Sequence, residues 1–223
     1  MIKDQDIMDY KCHQASTLSC LGILKALYYG NLKPFRFILS KAHASSALYF
    51  ILADLGFFDK SEIAKFDTHC TYGIPGIEFT GGSLGMGLGV ACGIALSLKT
   101  KRKLPLVICL VGDGELYEGS TWEAIQFASA QKLNNLVCIV DRNRMSGSDF
   151  TENFSPLEPL EAKFGAFGWE TKCISDNREE LLQCIRGAEF HITYKPCCLI
   201  VSTIKGRGYK EFEGNPMCHK MTI

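Results

Sequence analysis

The sequence has no apolar run approaching the roughly 18 residues that a membrane span needs, and its opening stretch MIKDQDIMDYKC lacks the apolar core of a secretory signal. It has no excess of either charge. The 24 Lys and Arg balance 24 Asp and Glu, which leaves no overall field to draw in nucleic acid or an anionic membrane. None of its 11 cysteines forms a C-x-x-C pair, and several lie inside apolar runs such as VICLV and LVCIV, so scattered reduced thiols in a cytoplasmic protein are expected rather than a zinc or disulfide framework. No internal repeat, low-complexity tract or linker divides the chain. With 47% apolar and 22% charged residues over 223 positions, the reading is one globular domain spanning 1–223, with an N-terminal tail at 1–12 and a C-terminal loop or tail at 209–223. Its expected partner is small, not a nucleic acid or a membrane.

What is present is a regular alternation. Apolar residues recur at helical spacing over 14–29, SSALYFILADLG reads as a second helix ending at Gly56, and SLGMGLGVACGIALSLK reads as a third, opened by glycines. Strand LPLVICLV, a helix over 120–132, strand NLVCIVD, an irregular stretch with Pro156 and Pro159, strand ETKCI, helix REELLQCIRGAEFHI and strand CCLIVSTI follow. Nearly all-apolar strands alternating with helices predict an α/β fold with a mostly parallel sheet covered by helices on both faces. Ser120-Thr121-Trp122-Glu123 fits a capping box at the start of its helix.

The segment VGDGELYEG places an acid between two glycines where a buried strand runs out, the edge of such a sheet at which ligands bind. An unpaired carboxylate is costly to bury, so Asp113 has two readings: a turn residue capping the next helix, or a ligand for a hard cation such as Mg²⁺ that holds a phosphorylated group. Asp141-Arg142-Asn143 ends the next expected strand, which puts the Asn143 amide oxygen at the same edge as Asp113. Gly114 would let backbone approach a diphosphate closely. The GGSLGMGLG helix carries no G-x-G-x-x-G, so the dinucleotide fingerprint is missing.

GDGELYEGSTWEAIQFASAQKLNNLVCIVDRN resembles the thiamine diphosphate motif in the form found in the transketolase family. LSKAHASSALYFILADLG, GIEFTGGSLGMGLGVACGIALS and TIKGRG with EGNPMCHK are similar to three further segments of that family, in the same order, over about 11–220. The resemblance implies the thiamine diphosphate-binding fold, with Mg²⁺ (or Ca²⁺ or Mn²⁺ in its place) held by Asp113, Asn143 and the Met145 backbone carbonyl. It implies that Gly114 and the Gly82-Ser83-Leu84 loop touch thiamine diphosphate, along with Asn143, and that Glu118 lies beside the aminopyrimidine at a subunit interface. The alternative for Glu118 is a first-turn acid favoured by the helix dipole. His43 and His219 match family histidines that bind cofactor and act in catalysis, His13 matches a third, and His69 stands where a shortened loop leaves it as a fourth. Only His191, of the five histidines, has no counterpart. Arg142 and Arg144 either meet a phosphate or are solvated.

The resemblance reaches only the diphosphate-binding part of a transketolase. The expectation is therefore a split enzyme. This chain would be the N-terminal subunit, and a second chain, carrying the pyrimidine-binding and C-terminal domains, would complete an α2β2 assembly that transfers a two-carbon ketol unit from a ketose to an aldose, either of them a sugar or sugar phosphate. Two other readings stand beside it: a different thiamine diphosphate enzyme, such as a 1-deoxyxylulose-5-phosphate synthase-like protein or a carboligase, and a non-catalytic cofactor-binding subunit.

Overall fold

The computed structural model describes residues 2–8, 10, 13–101, 105–189 and 194–221. Cys12 and His191 lie outside the described residues. A five-stranded parallel sheet forms the centre, made of β1 (Arg36–Leu39), β2 (Val107–Gly112), β3 (Leu136–Arg142), β6 (Glu170–Ser175) and β7 (Cys197–Ser202), in the order β1-β2-β3-β7-β6. Between β3 and β6 a two-stranded antiparallel hairpin, β4 (Met145–Ser146) with β5 (Asp149–Phe150), stands apart from it.

Successive residues of the central strands feed opposite faces, as strand geometry requires. Ile108, Leu110, Val137, Ile139, Leu199 and Val201 point to one core, which is closed by α2 (Gln14–Tyr29), α3 (Ser45–Asp54) and α8 (Arg178–Glu189). Cys109, Val111, Cys138, Val140, Cys198 and Ile200 point to the other, closed by α4 (Gly87–Thr100), α5 (Gly119–Ala130) and α7 (Leu160–Ala166). Burial on both faces explains why β2, β3 and β7 read as unbroken apolar runs. The edge strand β6 is largely exposed and carries Glu170 and Lys172, charges that discourage pairing with another chain.

Several sequence expectations change. The N-terminal stretch expected to be a tail carries a core residue, since α1 (Asp4–Met8) buries Ile7, and the C-terminal loop buries Phe212 and Cys218. Strand β1 was not legible, because four residues cannot display a period. The segment with Pro156 and Pro159 holds two short helices, α6 (Thr151–Phe154) and α7. The capping box at Ser120 is absent: α5 begins at Gly119, with Glu118 as its N-cap, and the Ser120 hydroxyl donates instead to the Gly85 carbonyl at 3.0 Å. A capping box does form at Asp59 and Glu62, ahead of a short 3-10 turn over Lys60–Lys65.

Candidate functional site

The strand order sets four neighbouring carboxyl ends side by side. In register, Gly112 of β2 lies opposite Asp141 of β3, and the Asp113 N–H donates to the Asp141 carbonyl at 3.2 Å. Each end then turns into a residue that chemistry can use: Lys41 and His43 after β1, Asp113 after β2, Asn143 after β3, and Thr203 and Lys205 after β7. A cleft of about 330 Å³ opens above them.

The structure brings most of the expected residues to this cleft. Asp113, Gly114, Asn143 and Met145 line its floor, and Gly82 and Leu84 line one wall. Four histidines form the mouth. His13 stacks on His219 with ring centroids 5.0 Å apart and meets His43 edge-on at 5.4 Å, while His69 lies 6.5 Å from His13. Ser83 and Glu118 do not line the cleft; both are exposed beside it.

Asp113 is almost fully buried, and its carboxylate is well supplied with donors: Gly114 N–H to Oδ1 at 2.8 Å, and Arg144 N–H at 2.6 Å and Arg142 Nη1 at 3.0 Å to Oδ2. Burial, aided by the nearby Asp141 charge, pushes its pKa up to about 6, against the pull of Arg142. Asp113 and Asn143 are not bonded to each other. The Asn143 amide nitrogen donates to Ser19 Oγ at 3.2 Å and Asp141 Oδ2 at 3.4 Å, and its Oδ1 accepts the Met145 N–H at 3.1 Å. Those partners orient the amide, with the nitrogen toward Asp141 and the oxygen toward the β4 turn.

Sequence reading missed the groups that hold this floor. Asp141 is wholly buried and accepts from Lys41 Nζ, Ser19 Oγ and Thr203 Oγ1. Burial alone would raise its pKa, but the Lys41 ammonium outweighs it and holds it below the ordinary value; Lys41, in turn, is held above its own, burial notwithstanding. Glu115, one residue past Gly114, is also buried and gathers three loops, accepting from Ser40 Oγ, from the Gly85 N–H at 2.7 Å and from the Gly112 N–H at 3.3 Å. Burial is the main cause of its raised pKa. Arg142 neither meets a phosphate nor is solvated: it is buried against Asp113, whereas Arg144 is exposed and contributes its backbone N–H.

The residues fit an anion with a hard cation. Lys205 is 4% exposed and lines the cleft, and among the described residues no acceptor meets its ammonium. Burial, with the Lys41 charge nearby, lowers its pKa against the pull of Asp113 and Asp141. An added Cβ at Gly82 would meet nothing within 4 Å, so that backbone stands open to a ligand, whereas one at Gly114 would come within 2.7 Å of Ser146 Oγ. Among the described residues no three or more His, Cys, Asp or Glu are grouped to hold a metal by themselves. Asp113 and Asn143 offer oxygen donors only, the kind Mg²⁺ takes when phosphate oxygens complete its shell. The ten described cysteines are all free thiols.

Residues 31–223 match the family model described as transketolase, thiamine diphosphate binding domain. The chain is 35% identical over 233 residues to the 6-deoxy-6-sulfo-D-fructose transketolase subunit SqwG of Clostridium sp. (strain MSTE9), covering 95% of this chain and 83% of that one. It is 35% identical over 225 residues to an apulose-4-phosphate transketolase subunit of Phocaeicola vulgatus, covering 93% and 80%. Human transketolase is 39% identical over 196 residues, 82% of this chain but only 30% of that one. Among solved structures, Campylobacter jejuni transketolase superposes with a TM-score of 0.75 at 28% identity, over 98% of this chain and 40% of that one, and Pichia stipitis transketolase with 0.80 at 24%, over 96% and 38%. A match across most of the chain in sequence, and across nearly all of it in structure, shows that this chain belongs to the transketolase family, as its thiamine diphosphate-binding part.

Proposed function

We propose that the protein is the N-terminal subunit of a two-chain, Mg²⁺- and thiamine diphosphate-dependent transketolase. One domain of this chain binds the diphosphate, and a C-terminal subunit supplies the pyrimidine-binding and C-terminal domains in an α2β2 assembly. The observation that carries the reading is the cleft itself, where Asp113, Asn143 and Lys205, whose ammonium no acceptor among the described residues meets, stand with four histidines at the carboxyl ends of the strands. Lengths agree. The chain spans 80% or more of the two relatives named as subunits, but about two fifths of the solved transketolases.

In this reading Asp113, Asn143 and the Met145 carbonyl hold the cation, and Lys205, Gly82 and Gly114 receive the diphosphate. Bound thiamine diphosphate supplies a nucleophilic carbon that takes up and hands on a two-carbon ketol unit. The histidines do the rest of this chain's work. Burial keeps His13 and, more strongly, His43 below the usual imidazole pKa, so at neutral pH both are uncharged and each can take or give a proton at a sugar hydroxyl or carbonyl oxygen. His219 and His69 offer further imidazoles at the same mouth, where they would bind hydroxyls. Glu118, exposed next to the cleft, would face the partner subunit. The donor ketose and aldose acceptor are sugars or sugar phosphates, and a cytoplasmic location suits the free thiols.

The test is reconstitution. Mixed with a chain that carries a transketolase pyrimidine-binding domain, the protein is expected to form a larger complex on size exclusion and to transfer a ketol unit only when Mg²⁺ and thiamine diphosphate are both present. Full activity of this chain by itself, or activity indifferent to Asp113→Ala, refutes the reading.

A further inference from the structure

Among the described residues Arg142 is the largest of the fully buried side chains, and the Mg²⁺–diphosphate scheme leaves it without a task. A guanidinium has five N–H donors, and here all five are committed. Nη1 donates to Asp113 Oδ2 at 3.0 Å and Thr151 Oγ1 at 2.8 Å; Nη2 donates to Glu152 Oε1 at 2.7 Å and Glu158 Oε1 at 3.0 Å; Nε donates to Glu158 Oε1 at 3.2 Å. Both glutamates are themselves held, Glu152 by the Leu157 N–H at 3.2 Å and Glu158 by the Leu160 N–H at 3.0 Å. The plane of the guanidinium is therefore fixed from the 151–160 side before it reaches Asp113.

The two Asp113 oxygens are left unequal. Among the described residues Oδ2 takes two donors, Arg142 and the Arg144 N–H, while Oδ1 takes only the Gly114 N–H. We propose that Arg142 is a positioning residue for the metal carboxylate: it holds Asp113 in the rotamer that keeps Oδ1 available to the divalent cation, and it ties that rotamer to the 151–158 segment. The proposal rests on the Mg²⁺–diphosphate reading of the cleft.

Two effects oppose each other. A positive charge 3.0 Å from Asp113 repels a second cation, whereas a fixed carboxylate spares that cation the cost of ordering it. Glu152 and Glu158 decide the balance, because they engage the guanidinium on its far side and leave the cluster with three carboxylates to one cation. Orientation is then the larger effect. The two effects predict opposite signs on removal of the side chain, so affinity discriminates between them.

The experiment is calorimetric titration of Mg²⁺ into the full chain at saturating thiamine diphosphate, for wild type, Arg142→Met and Arg142→Lys, with thermal unfolding followed by circular dichroism. Arg142→Lys keeps the charge but has one ammonium with three donors, which cannot span Asp113 and both glutamates, so it isolates geometry. The expected result is a Kd for Mg²⁺ raised about 10- to 100-fold in both variants, the range found when a group that orients a metal ligand is lost. An Arg142→Lys affinity equal to wild type overturns the proposal, even if Arg142→Met fails to fold. Tighter binding in a folded Arg142→Met overturns it too, in favour of charge tempering. If wild type itself binds no Mg²⁺ with the cofactor, the reading of the cleft falls and takes this proposal with it; binding by wild type with no loss in Arg142→Lys sinks this proposal alone.

Discussion

Lys205 and Asp141 are charged side chains on buried residues, and among the described residues they separate by whether a hydrogen-bonding partner is present. Asp141 has Lys41, Ser19 and Thr203, so removing its charge strands the Lys41 ammonium in the core. Asp141→Asn is expected to destabilise the chain by about 3–5 kcal/mol in a denaturant titration, and adding Lys41→Met to cost less than the sum of the two single changes. Lys205→Met is expected to do the reverse: a higher melting temperature, because a desolvated ammonium that no acceptor among the described residues meets is gone, with affinity for Mg²⁺ and thiamine diphosphate about tenfold weaker or more by calorimetry. An affinity unchanged by Lys205→Met would remove it from the diphosphate site. The histidines set a pH dependence of known sign. Burial first, then Lys41 and the neighbouring imidazoles, hold His43 well below its ordinary 6.5. The unfolded chain therefore takes up a proton near pH 6.5 that the folded chain refuses, so stability is full above that value and falls as pH drops from about 7 towards 5. His43→Asn should flatten the melting temperature across that window, and an unaltered slope would contradict the assignment.

At the scale of elements, the glycine loop ahead of α4 contains two glycines with different reasons to be there. Gly85 has φ +83°, and a Cβ on it would lie 2.5 Å from Ser120 Oγ and 2.6 Å from the Glu118 Cβ. Gly85→Ala is thus expected to lower stability by about 1–3 kcal/mol through strain alone. Gly82 has open space instead, so Gly82→Ala should leave stability within about 0.5 kcal/mol while weakening thiamine diphosphate binding. A stability loss in Gly82→Ala, or none in Gly85→Ala, would reverse these roles. The long elements were legible because their patterns are extended: β2, β3 and β7 are apolar without a break, as burial on both faces of the sheet requires, and α2 shows helical spacing. The Ser120 capping box failed for a reason local pattern cannot contain. Glu118 takes the N-cap position, and Gly85, distant in sequence, offers the hydroxyl a carbonyl.

For the whole molecule, the expectation concerns the proposed second chain. Glu118 is exposed, makes no hydrogen bond through its side chain to a described residue, and stands beside the cleft rather than in it. Glu118→Ala is expected to leave folding and Mg²⁺–diphosphate binding by the chain intact but to abolish ketol transfer by the reconstituted complex. A reconstituted enzyme that keeps its activity would show that Glu118 has no role across the interface.

The sequence by itself determined the sheet and its sense, the family, and the residue types at the strand ends, because strand burial and the GDG-to-Asn spacing are local patterns that survive without coordinates. Only the tertiary structure decided which groups support that chemistry. Lys41, Asp141, Thr203, Lys205 and Arg142 are scattered from residue 41 to residue 205 and become one floor solely because β1, β2, β3 and β7 lie side by side in parallel. No spacing announces a buried arginine with all five donors engaged or a buried lysine that no acceptor among the described residues meets. Those are properties of three-dimensional packing, where the low dielectric makes every pairing, and every missing partner, count.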